Sequence, residues 1–212
     1  SLEEGGASST NYPCCTFRGS VVALDGGSGA ETWRTYLVEP PRSIGRNSAG
    51  AENFAPSGVP VWNSPAIDEK RGQLYVTTGD NYSAPGSSMS DAIVALDLKS
   101  GAVKWAYQAR TNDTWNGSCE EADTANCPED RGPDFDFGVG AVLAPGNDGR
   151  DYVLAGQKSG EAYAINPDDG TLAWKRKVGR GGVVGGIHFG IAATGGKVFI
   201  PVSDVPDGRP YD

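Results

Sequence analysis

Apolar positions along this chain come in short runs rich in Val, Ile, Tyr and Trp, bounded by Gly, Asp, Asn and Ser. That pattern is the one strands and turns leave, not helices. No long stretch carries a 3.6-residue period. No apolar run approaches the roughly 18 residues that a membrane span needs. The chain therefore reads as all-β.

Three segments repeat one another: VVALDGGSGAETW (21–33), IVALDLKSGAVKW (93–105) and AYAINPDDGTLAW (162–174). With their flanks the repeats cover 21–36, 93–108 and 162–177. Trp33, Trp105 and Trp174 recur roughly every 70 residues, a self-similarity that marks a repeat architecture. Each segment predicts a β-hairpin. A strand ends at Asp25, Asp97 or Asn166, whose side chain starts a turn by accepting backbone amides ahead of it. Gly29, Gly101 or Gly170 takes the positive-φ position. The returning strand carries a Trp large enough to wedge between neighbouring sheets. Further strands are predicted at 72–79, 151–157 and 197–203. About four strands per repeat fits a propeller blade. Residues 1–212 would then form a single repeat region of about three blades, too few to close alone. Trp62 and Trp115 lie outside the repeat position.

Composition narrows the function classes. The formal charge is -9 and no Lys/Arg cluster is present, which argues against a nucleic-acid partner. The four cysteines form an adjacent pair, Cys14 and Cys15, and a spaced pair, Cys119 and Cys127. There is no Cys-x-x-Cys and only 1 His, so neither a zinc site nor covalent haem is expected within this stretch. An even cysteine count without metal spacing favours disulfides and an oxidising compartment. The chain has no initiator Met or signal peptide and is expected to be a piece of a longer, exported protein, periplasmic or secreted.

Between the hairpins lies a set of ordered motifs. They are SLEE (1–4), VPVWNSPAID (59–68), TTGD (77–80), DTW (113–115), PDFDFG (133–138), AGQKSG (155–160) and GGIHFG (185–190). Together with the ALD…SG…W repeat, they resemble the pyrroloquinoline quinone (PQQ) dehydrogenases. NCPEDRGPDFDFG and AGQKSGEAYAINPDDG look most like polyvinyl alcohol dehydrogenases within that family. The resemblance implies a fragment of an eight-bladed quinoprotein propeller.

By the same resemblance, Trp62 is the ring on which the quinone stacks, Lys158 contacts the quinone and His188 lies near the cofactor. Glu4 and Asp80 fall at metal-ligand positions, Asp80 standing where the family has Asn. In related alcohol dehydrogenases a segment Asp-x-Trp-Asp-Tyr-Asp holds the catalytic base after the Trp. Here Asn116 follows DTW, and the carboxylate returns only after a cysteine-bracketed excursion. The resemblance makes Asp134 the base, with Cys119 and Cys127 joined to brace the insertion. Asp134 and Asp136 would also face the metal, both side chains pointing the same way in an extended segment. The Cys14–Cys15 pair stays open between a vicinal disulfide and two thiols.

The implied cofactors are PQQ and Ca²⁺, with a lanthanide as the alternative because several carboxylates converge. Haem c would lie only outside this stretch. The implied partners are an alcohol substrate, secondary or polymeric, a cytochrome c electron acceptor and the remaining blades of the parent chain. With half a cofactor site, the stretch alone is expected to be an inactive part of an oxidoreductase. The competing expectation is a non-catalytic propeller that binds other proteins. A sugar dehydrogenase using PQQ is a third. A plain structural role competes for each carboxylate: Asp80 as a turn residue, Asp134 and Asp136 as caps of a polar loop.

Overall fold

The hairpin turns form as their side chains dictate. Asp25 Oδ1 accepts the amides of Gly27 and Ser28, and Asp97 Oδ1 accepts those of Lys99 and Ser100. Asn166 Oδ1 accepts the amide of Asp168. The amides of Gly29, Gly101 and Gly170 close the three turns onto the carbonyls of Asp25, Asp97 and Asn166. Their φ values of 72°, 71° and 75° lie where only glycine sits without strain. All three hairpins carry the same bulge, so that Trp33, Trp105 and Trp174 pair with Ala23, Ala95 and Ala164.

The computed structural model describes residues 2–120 and 125–204. These hairpins complete two four-stranded antiparallel sheets. One runs, in spatial order, Val103–Gln108, Ala92–Asp97, Gln73–Thr77, Ala66–Asp68. The other runs Val142–Pro145, Asp151–Gly156, Glu161–Ile165, Leu172–Lys177. A hairpin pair, Ser20–Leu24 with Glu31–Tyr36, precedes them, and a first-strand pair, Ala192–Thr194 with Lys197–Phe199, follows. These strands amount to two complete blades flanked by two halves; two further two-stranded ladders, Arg42–Arg46 with Glu52–Ala55 and Ser57–Gly58 with Asn81–Ser83, lie outside them. Two of the predicted strands stop early, at Thr77 and Phe199. Past Thr77 the chain turns aside into a loop that carries Asp80.

Successive blades lock through the tryptophans. Trp33 Nε1 donates to the Leu98 carbonyl at 3.3 Å, and Trp105 Nε1 to the Pro167 carbonyl at 3.0 Å. A Cβ on Gly101 would stand 2.5 Å from the Trp33 ring, and one on Gly170 2.8 Å from the Trp105 ring. Each ring thus lies on the turn glycine of the next blade. Trp174 covers no such turn among the described residues and is 37% exposed. The core between the complete blades is Tyr75, Ile93, Phe137, Val153, Tyr163 and Ile165 with small alanines between them. At one edge of this core, Arg71 bonds Asp68 of its own blade and Asp151 and Asp168 of the next. Among the described residues no helix is long and apolar enough to cross a membrane.

Candidate active site

In an antiparallel pair, the start of the first strand and the end of the second lie at the same end. Two kinds of loop therefore gather there. Loops following second strands contain 78–81 and 157–159. Segments leading into first strands contain 59–65, 134–141 and 185–191. The amide of Gly79 donates to the Pro60 carbonyl, and one blade later that of Lys158 donates to Asp136, both at 2.9 Å. Between blades, Phe137 N donates to Thr78 O and Ile187 N to Gln157 O, both at 3.2 Å. This register makes Trp62, Gly138 and His188 equivalent positions on three successive blades. It also places Asp136 between Asp80 and Lys158.

Four buried side chains meet there. Lys158 Nζ donates to Asp134 Oδ1 at 2.8 Å and to Asp136 Oδ2 at 2.7 Å. Asp136 Oδ1 accepts the Asp80 amide at 2.7 Å. Gly79 makes that approach feasible, because a Cβ there would fall 2.3 Å from Asp136 Oδ1. One oxygen from each of Asp80, Asp134 and Asp136 lies within 4.8 Å of the others. Asp80 Oδ2 is buried with no hydrogen-bond partner among the described residues. Three carboxylates thus cluster with one ammonium, which pairs with two of them.

The electrostatics follow. Burial, then the neighbouring Asp136, pushes the Asp134 carboxyl up to about 8 despite the opposing pull of Lys158. Burial and the charges of Asp136 and Asp134 hold Asp80 well above the usual carboxylate range. Burial alone would lower Lys158, but Asp136 and Asp134 outweigh it and raise its pKa. The cluster is short of positive charge, and its donors are hard oxygens of the kind Ca²⁺ and its larger-charge analogues take. The residues present therefore fit a hard cation.

Trp62 is 45% exposed, with its ring centroid 5.8 Å from Lys158 Nζ. His188 meets it edge-on at 5.9 Å, and Phe189 stacks on His188 at 4.5 Å. A half-exposed indole plane beside a lysine suits a flat anionic cofactor such as PQQ.

Other expected residues sit differently. Glu4 is not one of the three converging carboxylates; Tyr82 Oη donates to its Oε2 at 3.1 Å, and its charge still bears on Asp80. Its neighbour Glu3 is the buried one. Glu3 accepts the amides of Thr16 and Phe17 and the hydroxyl of Tyr12, and so holds the Cys14–Cys15 turn. Those cysteines are joined to each other, as are Cys119 and Cys127. Asp134 and Asp136 do converge, but not from an extended segment. Asp134 has φ 57°, a left-handed conformation, and 134–141 forms no strand before Val142. A carboxylate the motif reading left without a role, Asp113, accepts the amides of Asp134 and Phe135 at 3.1 and 3.0 Å. Buried Asp91 also lies in the field of these acids. Nothing in its local sequence separates it from a loop residue.

Residues 5–128 match the family described as "PQQ: Glucose/ethanol/alcohol dehydrogenase, beta-propeller domain". The chain belongs to this PQQ propeller family. Its sequence is 41% identical over 204 residues to a polyvinylalcohol dehydrogenase of Pseudomonas sp., covering 95% of this chain and 32% of that protein. A polyvinylalcohol dehydrogenase of Sphingopyxis sp. (strain 113P3) is 39% identical over 198 residues, with 92% and 30% covered. This PQQ propeller chain thus spans 32% and 30% of those two relatives. Among solved structures, a quinohemoprotein alcohol dehydrogenase of Pseudomonas putida superposes with a TM-score of 0.53 at 20% identity, covering 80% of this chain and 25% of that one. A europium-containing methanol dehydrogenase gives 0.51 at 18% identity, covering 77% and 30%. At such identities the structures speak for the fold, a piece of a quinoprotein propeller.

Proposed function

We propose that the parent protein is an exported PQQ-dependent dehydrogenase of secondary or polymeric alcohols. The observation that carries this reading is the cluster of Asp80, Asp134 and Asp136, the last two paired with Lys158, close to the half-exposed ring of Trp62. PQQ, when bound, supplies the two-electron oxidant. Trp62 would carry its plane, His188 would flank it and Lys158 would bond its oxygens. Asp80, Asp134 and Asp136, with Glu4 nearby, would hold a hard cation, Ca²⁺ by default and a lanthanide as the alternative.

The chain's own chemical step is proton removal. Asp134 stands at the position that the family resemblance gives to the base, and burial raises its carboxyl to about 8, so it is the group assigned to accept the alcohol hydroxyl proton. Lys158 would hold that carboxylate in place. Identity to the two polyvinylalcohol dehydrogenases supports a polymeric or secondary alcohol as substrate. Electrons would leave to a cytochrome c, or to haem c on a part of the parent outside this stretch. The two disulfides support an oxidising compartment, periplasmic or extracellular.

The test is dye reduction by the purified full-length parent with PQQ, Ca²⁺ and a secondary alcohol or polyvinyl alcohol. Asp134→Asn should retain PQQ and lose a factor of about 10²–10⁴ in turnover. A parent that takes up neither PQQ nor cation would leave the protein-binding scaffold as the better reading.

A further inference from the structure

The excursion 116–133 separates DTW (113–115) from the carboxylates that the site needs, and Asp113 closes it. Its carboxylate is fully buried and receives the backbone amides of Asp134 and Phe135, 21 and 22 residues further on. Its own carbonyl accepts the Asn81 amide, one residue past Asp80. Asp113 therefore ties together the two loops that supply all three converging acids. Gly132 leaves it room: a Cβ there would fall 2.0 Å from Asp113 Oδ1 and 2.6 Å from its Cα. Gly132 N also donates to Thr114 O at 3.0 Å, so the chain entering the excursion runs beside its far end. The remaining charge on Asp113 faces Arg110, whose Nε lies 3.4 Å from Oδ2.

This arrangement explains how Asp134 holds a left-handed φ that a non-glycine residue rarely adopts. With both amides of the turn fixed on one carboxylate, the backbone at 134–135 has one orientation. Asp134 and Asp136 then both reach Lys158 Nζ although the segment is not a strand. We infer that Asp113 is a positioning residue that sets the spacing of Asp134 and Asp136 and thereby the cation affinity of the site. The inference rests on the reading of that site as a cation site. Partners one shell behind metal ligands typically govern affinity by a factor of about 10–100. Asn at 113 could accept one amide but would turn its own NH₂ toward the other.

The experiment uses the metal-free, full-length parent, with Ca²⁺ alone and La³⁺ alone titrated by calorimetry. Amide hydrogen exchange at 134 and 135 is measured in parallel. Asp113→Asn should keep the wild-type circular dichroism and bind both ions about 10–100-fold more weakly. Exchange should speed up at 134–135 and not in the strands. Asp136→Asn serves as the ligand control. If the control loses affinity while Asp113→Asn keeps it, Asp113 has no positioning role and the cation reading stands. If the wild type binds neither ion, the cation reading falls and the inference about affinity falls with it. If the Asn variant does not fold, Asp113→Ser takes its place in the titration. Rapid wild-type exchange at 134 and 135 would overturn the proposal without any variant.

Discussion

Lys158 and Asp136 are joined twice, once through the ammonium and Oδ2 at 2.7 Å and once through the Lys158 amide and the Asp136 carbonyl at 2.9 Å. The backbone bond fixes which residue stands opposite which. The side-chain bond then neutralises part of a buried acidic cluster. Removing the ammonium leaves carboxylates that only protons or a metal ion can balance. Lys158→Met in the metal-free parent should cost about 3 kcal/mol, the low end for breaking a buried pair because Asp134 can take up a proton. Saturating Ca²⁺ should raise the melting temperature more in the variant than in the wild type. Equal shifts in both proteins would show that Lys158 does not offset the site's charge.

The metal preference follows from the same charges. Lys158 offsets part of the charge that Asp80, Asp134 and Asp136 carry when ionised, and what remains matches a divalent ion; each carboxylate still attracts a trivalent ion more strongly than a divalent one. Asp136→Ala should therefore weaken La³⁺ binding to the parent more than Ca²⁺ binding. Calorimetry with each ion reads this directly; a larger loss for Ca²⁺ would contradict the charge argument.

Trp105 lies on Gly170 across the blade interface and donates to Pro167. Trp105→Ala should destabilise the parent by about 3–5 kcal/mol. Gly170→Ala meets both a φ of 75° and the ring, so it should cost at least about 1–2 kcal/mol. Gly26→Ala is the control. A Cβ there meets nothing within 4 Å, and the effect should stay within about 0.5 kcal/mol. Denaturant unfolding of the three variants gives the order.

The Cys119–Cys127 bridge closes a short loop within the excursion. The chain-entropy relation gives about 2.6 kcal/mol for a loop of that size. Replacing both cysteines by Ser should lower parent stability by up to that amount in guanidinium unfolding. No change would mean that the excursion is held by its hydrogen bonds, those of Asp113, Asn116 and Asn126 among them, without need of the bridge.

Acid should loosen the exposed turn of the second hairpin. The Ser100 amide, then the Ser100 hydroxyl, holds Asp97 at about 2, below its ordinary 3.8. A carboxyl lowered in the folded state adds stability that is complete above its unfolded value and is lost as pH falls through the folded one. The melting-temperature gap between wild type and Asp97→Ala should hold constant above pH 4 and shrink toward pH 2. A gap that stays constant down to pH 2 would contradict this account.

The all-β class and the three hairpins were legible in the sequence because each is local, and the tryptophan wedge because its position recurs in every repeat. A turn needs Asp or Asn, then Gly, at fixed offsets, and a two-residue strand period shows directly in the order of side chains. The motifs also placed Trp62, Lys158, Asp80 and the Asp134–Asp136 pair in one family pattern, which the shared end of the sheets brings together. Tertiary structure decided the rest. Which acids converge depends on hydrogen-bond register between loops far apart in sequence, such as Phe137 with Thr78 and Lys158 with Asp136. It left Glu4 on Tyr82 and buried Glu3 instead, a choice between adjacent identical residues that helix phase alone decides. It bent Asp134 into a left-handed turn where an extended segment was expected, because Asp113 holds both amides there. No local pattern encodes such a bond: its two partners are brought together only when the excursion folds back on itself.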